Sequence, residues 1–346
     1  MHNPHTFSAS RLIVLTLVFC AGDFSRGQQA SLLPPYHPAK QVSGTIRIWG
    51  HGSRQQDYIG PLVRALEQDF IRHQPDVRFD TALLGNASAI GGLYTGVADI
   101  ALLDRDISAI ELDGYQQVFG YDPVSFTVMT GSVDVTNYSP ALAIYVNKNN
   151  PLQQLSLTQL DALFDADHRR GPRRIETWGE LGISGAWADR PIHLYGYRIA
   201  SNQSQFFERA VMKGGEKWNC HLKEFEGDGT NSAGAQVMNA VASDEYGIGF
   251  AEVQPRATRV KTVALSHDDG SPGLLPTRKN ISAGEYPLAR TVQMYIHQAP
   301  NQSADPKVVE FIRYVLSIDG QAVVARNGAY LPLPETVALT ELGKMK

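Results

Sequence analysis

Four turns rich in glycine, serine and asparagine stand before helix-like stretches, at residues 50–53, 85–88, 201–204 and 227–234. A helix start leaves backbone N–H groups without an intrahelical acceptor, and an anion is a natural partner for them. A tetrahedral oxyanion stripped of water needs several directed donors; amides, hydroxyls and a guanidinium are the cheap sources. One such turn is an ordinary helix cap. Four of them, spread over two α/β stretches, suit a cleft into which both sides point.

Covalent chemistry finds less support. Gly182-Ile183-Ser184-Gly185 approaches a nucleophile elbow but lacks its final glycine. The ten histidines show no zinc-protease spacing, and Cys220-His221 stands isolated. No glycine-rich turn leads into the Lys-Ser/Thr pair of a P-loop. Trp178, Trp187 and Trp218 read as packing residues. The expectation from these motifs is no enzyme chemistry, no metal and no cofactor.

The elements that must position these turns alternate. Ile46 to Trp49, Val77 to Leu83 and Ile100 to Leu103 read as strands, the last stopping at Asp104. Between the first two, Ile59, Leu62, Val63, Leu66 and Phe70 recur at helical spacing, and a second helix runs through Ile90, Leu93 and Tyr94. A βαβαβ run of this kind implies a parallel sheet with its loops and helix starts at one edge. Further strands are expected at Val124 to Met129, Ala141 to Val146, Pro191 to Tyr195, Gly247 to Phe250 and Thr291 to His297. Helices are expected at Thr158 to Phe164, Gln205 to Met212, Ala235 to Ala242 and Val308 to Ser317. Residues 165–190 carry no periodicity and read as loop.

At 346 residues the chain is long enough for two cores. A composition 43% hydrophobic and 19% charged is that of an ordinary globular protein. A formal net charge of −4 argues against a nucleic-acid binder, while leaving room for a local anion site. Residues 1–22 read as an export signal: Arg11, then an apolar run from Leu12 to Ala21 too short to span a bilayer, then small residues at Cys20-Ala21-Gly22. Cys20 could alternatively carry lipid. Residues 23–43 read as a linker. Cys220 would then be the one remaining thiol of a soluble exported chain.

The C-terminal series is distinctive. Tyr286-Pro287-Leu288-Ala289-Arg290 opens a strand; Asp305-Pro306-Lys307 opens a helix; Asp319-Gly320-Gln321-Ala322 and Gly328-Ala329-Tyr330-Leu331-Pro332-Leu333-Pro334 close the chain. With Gly96-Val97-Ala98-Asp99-Ile100-Ala101-Leu102-Leu103-Asp104, this series resembles the phosphate-binding proteins that serve bacterial ABC transporters. The resemblance covers roughly Ile46 to Pro334. It implies an α/β fold of the two-lobed periplasmic binding protein type II kind, the chain crossing twice between lobes. Lobe 1 is expected at 44–138 plus 251–346 and lobe 2 at 139–250. The residues alone would equally suit one large α/β domain.

It also implies the site. Ser53 and Arg54 occupy the turn after the first strand, and Ser88 or Asn86 the serine of the second turn. Asp104 matches an aspartate that accepts the proton of phosphate, although a helix cap or an Arg105 salt bridge would suit it too. In the second lobe Arg198 matches the family's arginine, and Asn202, Gln203 and Ser204 the hydroxyl-rich loop after it. Ala200 replaces the aspartate that normally holds the arginine, and Gln203 replaces a glycine. Arg198 alternatively reads as a surface arginine. The implied ligand is inorganic phosphate or a similar oxyanion, the implied partner an ABC transporter permease, and the implied setting periplasmic or extracytoplasmic, as a monomer. The altered loop also fits a relative kept for signalling or surface interaction with a degenerate anion site.

Overall fold

The computed structural model describes Met1 and residues 32–52, 59–132, 140–171, 173–254 and 258–345. Ser53, Arg54, Cys20 and the expected signal segment beyond Met1 lie outside the described residues.

In chain order the elements are β1 Gly44–Gly50, α1 Gly60–His73, β2 Val77–Ala82, α2 Asn86–Tyr94, β3 Ile100–Leu103, α3 Ala109–Phe119, β4 Val124–Thr130, β5 Leu142–Asn147, β6 Gln154–Ser156, α4 Leu157–Phe164, β7 His193–Tyr197, α5 Asn202–Ala210, β8 Leu222–Phe225, α6 Ala233–Ser243, β9 Gly247–Glu252, β10 Val260–Ser266, α7 Arg278–Ser282, β11 Thr291–Ile296, α8 Pro306–Leu316, α9 Ile318–Asn327 and α10 Glu335–Gly343. The strands form two sheets, ordered β2-β1-β3-β11-β4 and β6-β10-β5-β9-β7-β8. In the first, β1 pairs in parallel with β2 and β3, while β11 joins antiparallel to β3 and β4. In the second, β7 runs parallel to β8 and β9, and β5 antiparallel to β9 and β10.

Local sequence explains these choices. In β1 the side chains of Ile46 and Ile48 are buried while Arg47 between them is not, the period-2 pattern of a strand with one covered face. Central β5 is buried at every position, so its run Leu142-Ala143-Ile144-Tyr145-Val146 shows no alternation. Helix α1 buries Leu62, Val63, Leu66 and Phe70 along one stripe. Helix α3 begins in a capping box between Ser108 and Glu111 and stops at Gly120 in the left-handed region. Its apolar pattern is weak, with Tyr115 alone buried, so periodicity did not announce it. Each sheet has its own large core: Phe70, Phe311 and Tyr314 sit in one, Phe164, Phe207 and Phe250 in the other.

Two expectations need correction. The later linker is packed: Leu33 and Tyr36 are buried in the first core, and the Tyr36 hydroxyl donates to Glu310 at 2.8 Å. The second sheet does not end at residue 250. Strand β10 pairs within it, and Ile281, Tyr286 and Leu288 pack into its core. The return to the first sheet therefore comes just before β11. It lies beside the outgoing segment: Gly131 N–H donates to the Arg290 carbonyl at 2.7 Å, and Leu142 N–H to the Leu288 carbonyl at 3.0 Å.

Candidate functional site

On the first-sheet side, the ends of β1 and β3 meet the start of α2. Gly85 is the cap of α2 at φ +124°, a conformation that favours glycine. Asn86 follows, buried, and its amide Nδ2 donates to Asp104 Oδ1 at 2.6 Å. Ser88 turns back, its hydroxyl donating to the Gly85 carbonyl at 2.8 Å. Asp104 does not cap α3, whose cap is Ser108, and Arg105 forms its salt bridge with Glu111 at 2.8 Å. Both alternatives for Asp104 thus give way to a third partner, Arg290, whose Nη2 donates to Asp104 Oδ2 at 2.9 Å. His51, in the first turn, is buried nearby; burial lowers its basicity, so its ring stays neutral near pH 7.

On the second-sheet side two helix starts face one cavity of about 480 Å³, lined among others by Arg198, Ser201, Gln203, Ser232, Gly234 and Glu252. Ser201 caps α5 by accepting from the Ser204 N–H, and Ser232 caps α6 by accepting from the Ala235 N–H, both at 3.2 Å. The amides before those capped positions point along the helix axes without intrahelical acceptors. Gly234 lets the α6 start approach β7: a Cβ there would lie 2.6 Å from the Tyr197 hydroxyl oxygen. That hydroxyl accepts from the Glu252 N–H at 3.0 Å, and burial first, then Glu252, pushes its acidity far out of reach. The earlier part of the 227–234 turn is self-contained. Asp228 accepts from the N–H groups of Thr230 and Asn231, and these bonds, led by that from Asn231, pull its carboxyl down to about 2.

Arg290 connects the two sides. It is 1% exposed and comes from the returning segment. Beyond Asp104, its Nη1 lies 3.7 Å from Glu252 Oε1, which in turn accepts from Gln203 Nε2 at 3.0 Å. The Phe206 ring lies 5.8 Å from the guanidinium carbon. A buried charge is tolerable only when paired, and here one cation faces carboxylates from both sides.

A family model described as PBP superfamily domain matches residues 38–319. The chain belongs to the PBP superfamily. Among its relatives, the phosphate-binding protein PstS of Pseudomonas aeruginosa is 34% identical over 316 residues, covering 90% of this chain and 91% of that protein. Protein SphX of Synechococcus elongatus is 22% identical over 79% of this chain and 74% of its own. Two solved structures share the fold. An ABC-type phosphate transport receptor from Vibrio cholerae has TM-score 0.53 at 20% identity, and PstS from Borrelia burgdorferi has 0.55 at 13%. Each covers 84% of this chain and 100% of the other. The resemblance carried by the C-terminal series holds, as does the two-lobed α/β architecture with two crossings.

Within this PBP-superfamily member the anticipated site residues divide. Asn86 and Asp104 are hydrogen-bonded together. Arg198 and Gln203 line the second-sheet cavity. Arg198 is exposed and spends one donor on Glu226 at 2.9 Å, with both side chains more than half accessible. Asn202 is exposed at the first turn of α5. Ser204 is a correction: it is fully buried, and its hydroxyl donates to the Tyr197 carbonyl at 3.2 Å, because it shares the packed face of α5 with Phe207. Ser201, one turn earlier, faces the cavity instead. Arg290 and Glu252 were not anticipated. The signal for Arg290 was its place closing Tyr286-Pro287-Leu288-Ala289-Arg290; Glu252 ends the otherwise apolar β9 and gave none. Among the described residues no group of three His, Cys, Asp or Glu is placed to hold a metal, no helix is long and apolar enough to cross a membrane, and Cys220 is an exposed thiol.

Proposed function

We propose that this chain captures inorganic phosphate, or a closely related oxyanion, between its two sheets and delivers it to an ABC transporter permease. The observation that carries the reading is a cavity lined by the α5 and α6 starts, Arg198 and Glu252, with Glu252 tied through Arg290 to the Asn86–Asp104 pair. The 34% identity to PstS of P. aeruginosa supports phosphate as the anion. Asp104 would accept the proton that phosphate keeps near neutral pH and sulfate lacks. Arg198, Ser201, Asn202 and Gln203, with the helix-start amides, would donate; Ser53, Arg54 and Ser88 would complete the first-sheet side. Micromolar binding requires about 8 kcal/mol, and one charge-assisted bond supplies about 1.5–3, so several donors must act together. Closure of the lobes on the anion removes water from both sides at once. The reading includes a binding protein without catalytic activity, exported by residues 1–22, acting as a monomer outside the cytoplasm, with lipid at Cys20 as the alternative to cleavage.

A second reading, a relative whose anion site has decayed into a signalling or surface role, draws on the Arg198–Glu226 pair and the inward Ser204. Calorimetry with phosphate, sulfate and molybdate separates the two. Stoichiometric phosphate binding that Arg198→Ala weakens supports capture; no heat with any oxyanion supports the second reading.

A further inference from the structure

Arg290 occupies an unusual place. Its backbone belongs to the returning crossing, where its carbonyl accepts from Gly131 of the outgoing one. Its side chain, almost fully buried, reaches one carboxylate from each sheet. The two contacts are unequal. Asp104 receives a charge-assisted hydrogen bond at 2.9 Å, whereas Glu252 stands at 3.7 Å, an ion pair outside hydrogen-bond range. The Nε–H of Arg290 is buried with no hydrogen-bond partner among the described residues. The arginine is thus anchored firmly on the first-sheet side and loosely on the second. A change in the angle between the sheets would lengthen the loose contact first.

We propose that Arg290 is a positioning residue that couples the inter-sheet crossing to the anion site: it aims the Asp104 carboxylate and, through Glu252, latches the second sheet in the closed arrangement. The coupling rests on the capture reading above. Glu252 is the releasable end, because Gln203 still satisfies one of its oxygens when the ion pair opens. Asp104 is the fixed end, held from two directions by Asn86 and Arg290. Closing the cleft then costs no new search for Asp104's orientation, and the latch raises the population of the binding-competent state.

The test uses the full exported chain and its Glu252→Gln, Arg290→Lys and Arg290→Met variants, titrated with inorganic phosphate and with sulfate. Small-angle scattering is recorded with and without phosphate. Glu252→Gln is expected to weaken phosphate about tenfold, within the usual range of coupling between sites, with the phosphate-to-sulfate ratio unchanged and a larger apo radius of gyration. Arg290→Met is expected to lose about a hundredfold in phosphate affinity and to narrow the ratio, since Asp104 is no longer aimed. Arg290→Lys keeps the charge but not the fork, and should recover part of the affinity. A packing role alone would lower the melting temperature without moving the ratio. Should Arg290→Met fail to fold, Arg290→Lys and Glu252→Gln carry the test, and wild-type affinity, ratio and scattering in both overturn the proposal. If the unaltered chain binds no phosphate, the capture reading fails. The latch then stands or falls on whether Glu252→Gln expands the apo protein.

Discussion

The two sides of the cleft are built on opposite plans. The first-sheet side is cross-linked and largely buried: Asn86, Asp104 and Arg290 are tied by bonds of 2.6 and 2.9 Å, with Asn86 and Arg290 buried and the Asp104 side chain 13% accessible. The second-sheet side is open and made of helix starts, with Arg198 on an exposed pair to Glu226. A buried network is rigid and expensive to break, because any group left alone keeps its desolvation cost. An exposed pair contributes about 0–1 kcal/mol and gives up its partner readily. The contrast suggests a division of labour in which one face selects and holds its shape while the other adapts and donates.

Breaking the rigid face should have the largest effect. Asp104→Asn removes the carboxylate charge and turns one acceptor oxygen into a donor, so that of the two carboxylates facing Arg290 only Glu252 keeps its charge. We expect a loss of about 2–5 kcal/mol in phosphate binding, with sulfate less affected, by calorimetry. On the adaptable face, Arg198→Ala should cost phosphate affinity about 1.5–3 kcal/mol, while its effect on stability stays within about 0.5 kcal/mol as for an ordinary surface change. Comparable losses in binding and stability would show that the exposed pair is structural after all. Gly234→Ala presses a methyl group against the Tyr197 hydroxyl and should destabilise by about 1–3 kcal/mol in urea unfolding. Ser201→Ala removes the cap of α5 and should cost about 1 kcal/mol; the same change should also loosen binding if the α5 start faces the anion.

The smallest effect concerns pH. Burial opposes the charge on Glu111, but Arg105 and the Ser108 bonds outweigh it and hold the carboxyl below its usual value of 4.5. A carboxyl depressed on folding adds stability above its unfolded value, and that stability fades as pH falls through the folded value. Glu111→Gln should therefore flatten the acid limb of a stability-versus-pH curve while leaving phosphate selectivity unchanged.

Much of the architecture was legible residue by residue. Strand β3 follows from Ile100-Ala101-Leu102-Leu103, β1 from Ile46 and Ile48, and α1 from its apolar stripe, since these patterns are local and each face has one fate. Strand β8 is short, and α3 has a weak stripe, so neither pattern stood out. The packed stretch from Leu33 to Val42 was read as a tether because proline and polar residues conceal two buried anchors, Leu33 and Tyr36. Strand β10 alternates only over Val263, Ala264 and Leu265, with Val260 buried out of step; which sheet it joins is a long-range matter that no such pattern encodes.

The candidate site divides along the same line. Sequence alone determined that the chain has helix starts fit for an oxyanion, an aspartate closing the third strand, and C-terminal motifs shared with a binding-protein family, because these rest on residue type and short spacing. Tertiary structure alone decided that Ser204 turns into the core, that Asp104 answers to Arg290 and not to Arg105, and that Glu252 stands across the cleft. The Asp104–Arg290 bond joins residues 186 positions apart where the two sheets adjoin, a matter of chain return and burial that no local pattern carries.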